Sequence, residues 1–164
     1  DTTPNQEEEE EDDDDADDDK TDDDDEHQCN DIAENEAVQE DTDAPIRFCR
    51  TKEHYGFLSS FYRADFVLCG ERWRTPAHFY AAAKLLDPAE REAVRLSPSP
   101  VVASRRSQSR AVRIRPDWDH VRHSVMYQAS AAKFQQHPEL AARLLSTGSR
   151  PLHHAYADRW GVDG

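Results

Sequence analysis

The sequence predicts an α+β fold, rich in helix with a small N-terminal β-sheet, behind a disordered polyacidic tail. Three observations carry that expectation. Residues 1–45 hold 24 of the 35 Asp and Glu with Lys20 as their only Lys or Arg, a net charge of −23, whereas residues 46–164 carry +8. The whole-chain charge of −15 therefore describes neither part. All three Trp, five Tyr and six Phe fall after residue 45, which suffices for one core and not for two. Finally, the apolar pattern of that second part changes from short alternating runs to capped helical runs.

Each element follows from local chemistry. The run from Glu7 to Glu26 is nearly unbroken Glu and Asp, so it cannot bury enough apolar surface to offset the entropy of ordering. The division is thus a tail over 1–45 and a domain over 46–164. Ile46 to Arg50 alternates apolar with basic residues as a half-buried strand does, and Phe66 to Cys69, Gly70 and Arg72-Trp73 read as a hairpin. Thr75 is an N-cap with Pro76 at the first helical position, opening a helix to Leu86, and Asp87-Pro88 restarts a second one to about Leu96. Ser97 to Pro100 is a linker, Val101 to Arg106 a short helix and Ala111 to Ile114 an extended piece. Asp117 caps a long helix from Trp118 to Gln136, whose apolar stripe is Trp118, Val121, Val125, Ala129 and Ala132. Pro138 begins a last helix to Leu145, ended by Thr147-Gly148.

Several function classes are disfavoured at once. No run of 18 apolar residues is present, and the acidic start is the reverse of a basic targeting peptide, so a soluble intracellular protein with no membrane partner is expected, with cytoplasm and nucleus both open. Cys29, Cys49 and Cys69 lack CxxC spacing and are odd in number, and read as reduced thiols. His153-His154 lacks a third ligand at helical spacing, so neither a metal nor another cofactor is expected.

Two segments carry chemistry. Tyr55-Gly56-Phe57-Leu58-Ser59-Ser60-Phe61-Tyr62 puts four aromatics, a glycine and two serines in eight residues. Glycine lets a ligand approach the backbone, serines supply hydrogen bonds and aromatic faces stack on a base; the same composition also suits a core plug. In Trp73-Arg74-Thr75-Pro76-Ala77-His78-Phe79-Tyr80-Ala81-Ala82-Ala83-Lys84, helical spacing puts Ala77, Tyr80, Ala81 and Lys84 on one face. That face either walls a pocket or packs in the interior with Lys84 snorkelling. His78 is a candidate base, since its ordinary pKa suits neutral pH, or a hydrogen-bonded structural residue.

In order, these segments are followed by Arg115-Pro116-Asp117-Trp118, Val125-Met126, Lys133-Phe134, His137-Pro138-Glu139-Leu140 and Trp160-Gly161. Together they resemble the NADAR superfamily, also called YbiA-like, from about Arg47 to Gly161. The resemblance implies a YbiA-like fold and a pocket for a ribosyl-linked nucleobase or an ADP-ribose-like nucleotide sugar. It implies N-glycosidase activity on early riboflavin-pathway intermediates, or removal of ADP-ribose from bases of nucleic acid. Such chemistry needs a carboxylate to deprotonate water beside an oxocarbenium-like transition state. The family's Glu falls at Ala77. Further departures are Ser60, Ala81, Ala83, Ser109 and His154, whereas the aromatic and glycine frame is kept.

Carried over residue by residue, the expected ligand contacts are Gly56, Phe57, Ser59, Ser60, Phe61, Tyr62, Trp73, Tyr80, Arg110, Trp118, Asp158 and Trp160. His78, Lys84 and Asp117 are the remaining candidates for catalysis, and Glu71 is a further carboxylate to weigh as a replacement for the missing one. Arg105, Arg106, Arg110, Arg113 and Arg115, interleaved with Ser104, Ser107 and Ser109, suit a diphosphate, a nucleic-acid backbone or plain solvation. The acidic tail either screens this basic domain, binds basic proteins such as histones or confers solubility.

Overall fold

The computed structural model describes residues 44–155. The acidic run, and with it the expectation of disorder there, lies outside the described residues, as do Asp158 and Trp160. The elements are β1 (Ile46–Phe48), a 3-10 turn (Gly56–Leu58), β2 (Phe66–Leu68), β3 (Glu71–Trp73), α1 (Pro76–Ala83), α2 (Pro88–Arg95), α3 (Pro100–Ser107), α4 (Trp118–Gln136), α5 (Pro138–Leu145) and β4 (Leu152–His154). The architecture is α+β with helix dominant, as expected.

The first three helices start with one device. Thr75, Asp87 and Ser99 accept from the backbone N–H of His78, Ala89 and Val102, satisfying a donor the helix leaves orphaned. Pro76, Pro88 and Pro100 follow, where a missing N–H is harmless. The first helix ends at Ala83 and not at Leu86, because Leu85 leaves it to bridge Ile114. Asp117 precedes α4 but does not cap it with its side chain. Its carboxylate is taken by Arg115 instead, at 2.7 and 2.8 Å.

The sheet also departs from expectation, since it is two separate pairs. β2 and β3 form the antiparallel hairpin with Phe66 opposite Trp73, turning through Cys69 and Gly70 at φ of 56° and 80°. β1 pairs instead with β4, in parallel, Ile46 opposite Leu152.

Most of α1 is buried, and it packs on α2, α3, α4 and β3. Its alanines let the neighbouring helices come close, and its bulk comes from Phe79, whose ring meets Trp73 edge-on at 5.0 Å. Phe66, Leu85, Val94, Ala103, Trp118, Val125, Ala129 and Ala132 complete this core. The α4 stripe is therefore interior as predicted. A second, smaller cluster joins Phe57, Ala64 and Leu140 with Tyr55, Leu58, Tyr62, Phe134 and Leu144 around it. Cys69 is an exposed free thiol, and Cys29 lies outside the described residues. No described helix is long and apolar enough to cross a membrane.

Candidate functional site

The first turn of α1 and the 55–62 loop meet directly. The Ala77 N–H donates to the Ser60 carbonyl at 3.0 Å, so position 77, where the resemblance puts the family's carboxylate, lies against that loop. One turn further on, the half-buried Tyr80 packs its ring on Trp118 at 4.8 Å. At the far end the Lys84 carbonyl accepts from the Arg115 N–H at 3.0 Å, which brings the Arg115–Asp117 ion pair beside the helix terminus. A strip thus runs from Ser60 and Ala77 past Tyr80 and Trp118 to Lys84, Arg115 and Asp117. Ser60, Phe61 and Tyr62 are half-buried at its upper end.

Other expected contacts are interior and fit structural roles. Phe57 is 1 % exposed, with the Arg143 guanidinium 4.0 Å above its ring and Phe134 edge-on at 6.4 Å. Ser59 is buried, and its hydroxyl accepts from the Phe61 N–H. Trp73 is buried and spends its indole N–H on the Leu68 carbonyl at 3.1 Å. Gly56 is needed for a close approach, but to its own chain. An added Cβ would meet the carbonyl oxygens of Thr51 and Arg50, the latter at 2.5 Å.

His78 does not have the geometry of a general base. It is 1 % exposed and both ring nitrogens are engaged, Nε2 with the Ser97 carbonyl at 3.2 Å and Nδ1 with the Thr75 hydroxyl at 2.8 Å. A carbonyl only accepts, so Nε2 carries the proton and Nδ1 accepts from Thr75. The ring therefore ties α1 to the linker after α2. Burial holds its pKa below the ordinary 6.5, against the Ser97 bond that raises it. The unfolded chain then takes up this proton first as pH falls. Stability contributed by the neutral ring is complete above about pH 6.5 and is lost below it. Urea midpoints measured from about pH 7.5 down to about pH 5 should fall less in His78→Gln than in the native protein. Parallel slopes would remove His78 from the account.

Asp117 is poorly suited to proton abstraction, because the Arg115 guanidinium holds its carboxyl below the usual range. Glu71 sits elsewhere. It is exposed on β3 and lines a shallow cleft of about 140 Å³ with Trp73, Pro88, Arg91 and Glu92. That volume is below the ~300 Å³ at which ligand pockets begin. In the basic region Arg105, Arg110 and Arg113 are exposed, while Arg106 donates to the Ala93 carbonyl at 2.8 Å. The interleaved serines serve the fold: the Ser107 hydroxyl donates to the Ser104 carbonyl, and Ser109 accepts from the Ala111 N–H. His154 packs against Phe48 at 5.2 Å.

Sequence reasoning treated Lys133, Gln136 and His137 as landmarks and gave them no role at the site. Lys133 is 1 % exposed and donates to the carbonyls of Phe57 at 2.9 Å and Ser59 at 3.2 Å. Burial pushes its ammonium down to about 8. The available signal was its place beside Ala129 and Ala132 on the buried face of α4.

The comparisons with known proteins agree with this architecture. The chain is 38% identical over 123 residues to the N-glycosidase YbiA of Escherichia coli, covering 74% of this chain and 77% of that one. It is 33% identical over 137 residues to the riboflavin biosynthesis protein VVA0006 of Vibrio vulnificus, covering 83% of this chain and 36% of the relative. The NMR structure of E. coli YbiA superposes with a TM-score of 0.64 at 38% identity, over 68% of this chain and 67% of that one. The NADAR domain profile matches residues 47–164, the same span over which the loop, the first helix and the α4–α5 pair follow one another, and the chain belongs to the NADAR family.

Proposed function

We propose that this domain binds a ribosyl-linked nucleobase or an ADP-ribose-like nucleotide sugar, and that its N-glycosidic hydrolysis is slow. The observation that carries the proposal is Ala77 on the first turn of α1, hydrogen-bonded to Ser60 where the family pattern has its carboxylate. The two replacement acids fit poorly: Asp117 is committed to Arg115, and Glu71 lines a different cleft. Relatives named N-glycosidase and riboflavin biosynthesis protein support a base-ribosyl ligand. The half-buried aromatics Phe61, Tyr62 and Tyr80 suit stacking on a base, and the exposed Arg105, Arg110 and Arg113 suit its phosphates or those of a nucleic acid.

Calorimetric titration with ADP-ribose and with a ribosylated pyrimidine, run beside an assay of base release, tests this reading. Saturable heat with at least one compound is expected, with base release about a hundred- to ten-thousand-fold slower than a family member that has the glutamate. Absence of heat with both would favour an inactive interaction module that uses the acidic tail on basic partners. Fast release by the native chain would show that another group supplies the base.

A further inference from the structure

The C-terminal end of α4 holds the ligand loop by its backbone. Lys133 Nζ donates to the Phe57 and Ser59 carbonyls, as described above. Gln136 behaves like a strand residue: its Oε1 accepts from the Val67 N–H and its Nε2 donates to the Val67 carbonyl, both at 2.8 Å. His137 Nε2 lies 2.9 Å from the Asp65 carbonyl, which makes it the donor there. Five hydrogen bonds thus join three neighbouring side chains to four residues, across sequence separations of 69 to 76. Every partner on the loop side is main chain. Such contacts fix the path of residues 57–67 and are indifferent to the side chains carried on it.

We propose that Lys133, Gln136 and His137 are positioning residues that hold the Ser59–Tyr62 loop against the first turn of α1, at the site where the ligand is taken. A buried lysine on an apolar helix face is a poor stabiliser, since an apolar side chain of similar length fills the space without desolvating an ammonium. What the apolar side chain lacks is the donor set. Lys133 offers three N–H bonds, and two of them meet carbonyls that bracket Leu58. The 3-10 turn that carries the first of those carbonyls leads through Ser59 into Ser60, whose own carbonyl receives the Ala77 N–H. Loss of the clamp should therefore release the loop from α1 while the α1–α3 core stays closed.

The positioning role rests on the ligand reading above, so its first test needs no ligand. Amide hydrogen exchange compares native protein with Lys133→Met and, as a second variant at an exposed position, Gln136→Leu. In Lys133→Met the Leu58, Ser59 and Tyr62 amides, bonded to Tyr55, Gly56 and Ser59 carbonyls, should exchange at least about tenfold faster. The Ala103 amide, bonded to Ser99 in α3, should keep its rate. In Gln136→Leu the Val67 amide should quicken, with a smaller effect on Tyr62. An equal acceleration at Ala103 and Leu58, or none at Leu58 to Tyr62, would overturn the clamp; should Lys133→Met not fold, an unchanged Val67 amide in Gln136→Leu would do so. Titration of both variants with ADP-ribose follows, with affinity expected to drop about tenfold or more. Quickened loop amides with native affinity would overturn the positioning role. Quickened amides beside a native protein that gives no heat would leave the clamp standing and remove the ligand reading alone.

Discussion

Ala77→Glu is expected to raise the rate of N-glycosidic hydrolysis by about a hundred- to ten-thousand-fold, the usual worth of a general base. The position suits a carboxylate for three reasons. Ala77 follows the Thr75 cap and Pro76, so it stands in the first turn of α1, where the aligned peptide dipoles favour negative charge. It is 6 % exposed, so partial desolvation would raise the carboxyl toward the pH at which a base works best. It adjoins Ser60 through the 3.0 Å backbone bond, beside the half-buried aromatics that would hold the base of a ligand. Adding four heavy atoms to so enclosed a site should cost about 1–3 kcal/mol of stability, visible as a lower melting temperature. Ala77→Gln is the decisive control, because it matches the glutamate in shape and cannot accept the proton. Rates that rise equally in both variants, or a native rate already equal to that of the glutamate variant, would refute the role assigned to position 77.

The elements that were legible in the sequence are those whose cause is local. Thr75-Pro76 and Asp87-Pro88 announce helices because a side-chain acceptor and a residue without an N–H solve the same terminus within three positions. The α4 stripe was legible because it repeats over about four turns, from Trp118 to Ala132. β4 was not, since Leu152-His153-His154 has no strand pattern of its own and gains order from a parallel partner more than a hundred residues away. Asp117 shows the limit of a cap read from residue type, for Arg115 two residues earlier competes for the carboxylate and takes it. His78 looked reactive by type, and only the positions of Ser97 and Thr75 reveal a ring with no nitrogen to spare. Lys133 was the reverse case. A lysine carries no mark of burial in one dimension, and its function in the fold depends on two carbonyls more than seventy residues upstream.

Gly56→Ala is expected to destabilise the domain by about 3 kcal/mol, the upper end of the usual cost of overpacking. The cause is contact and not backbone conformation, since the glycines with positive φ among the described residues are Gly70 and Gly148. A methyl group at position 56 would sit against the Thr51 carbonyl and 2.5 Å from the Arg50 oxygen, where a carbon needs more than 3 Å. Both obstacles are main chain, so no side-chain rotation relieves them. The segment carrying them is also fixed locally, as the N–H groups of Cys49 and Arg50 both donate to the Glu53 carboxylate at 3.2 Å. The 3-10 turn must therefore move, and with it the Phe57 and Ser59 carbonyls that Lys133 holds. Gly70→Ala provides the comparison. That residue has open space around it and φ of 80°, so its cost should be only the ~1 kcal/mol of a left-handed non-glycine. Urea midpoints should fall about three times as far for Gly56→Ala as for Gly70→Ala, and only the former should weaken ligand binding. A Gly56→Ala protein with the native midpoint would mean that the loop has room it is not seen to have, and the rigidity assigned to the 55–62 segment would go with it.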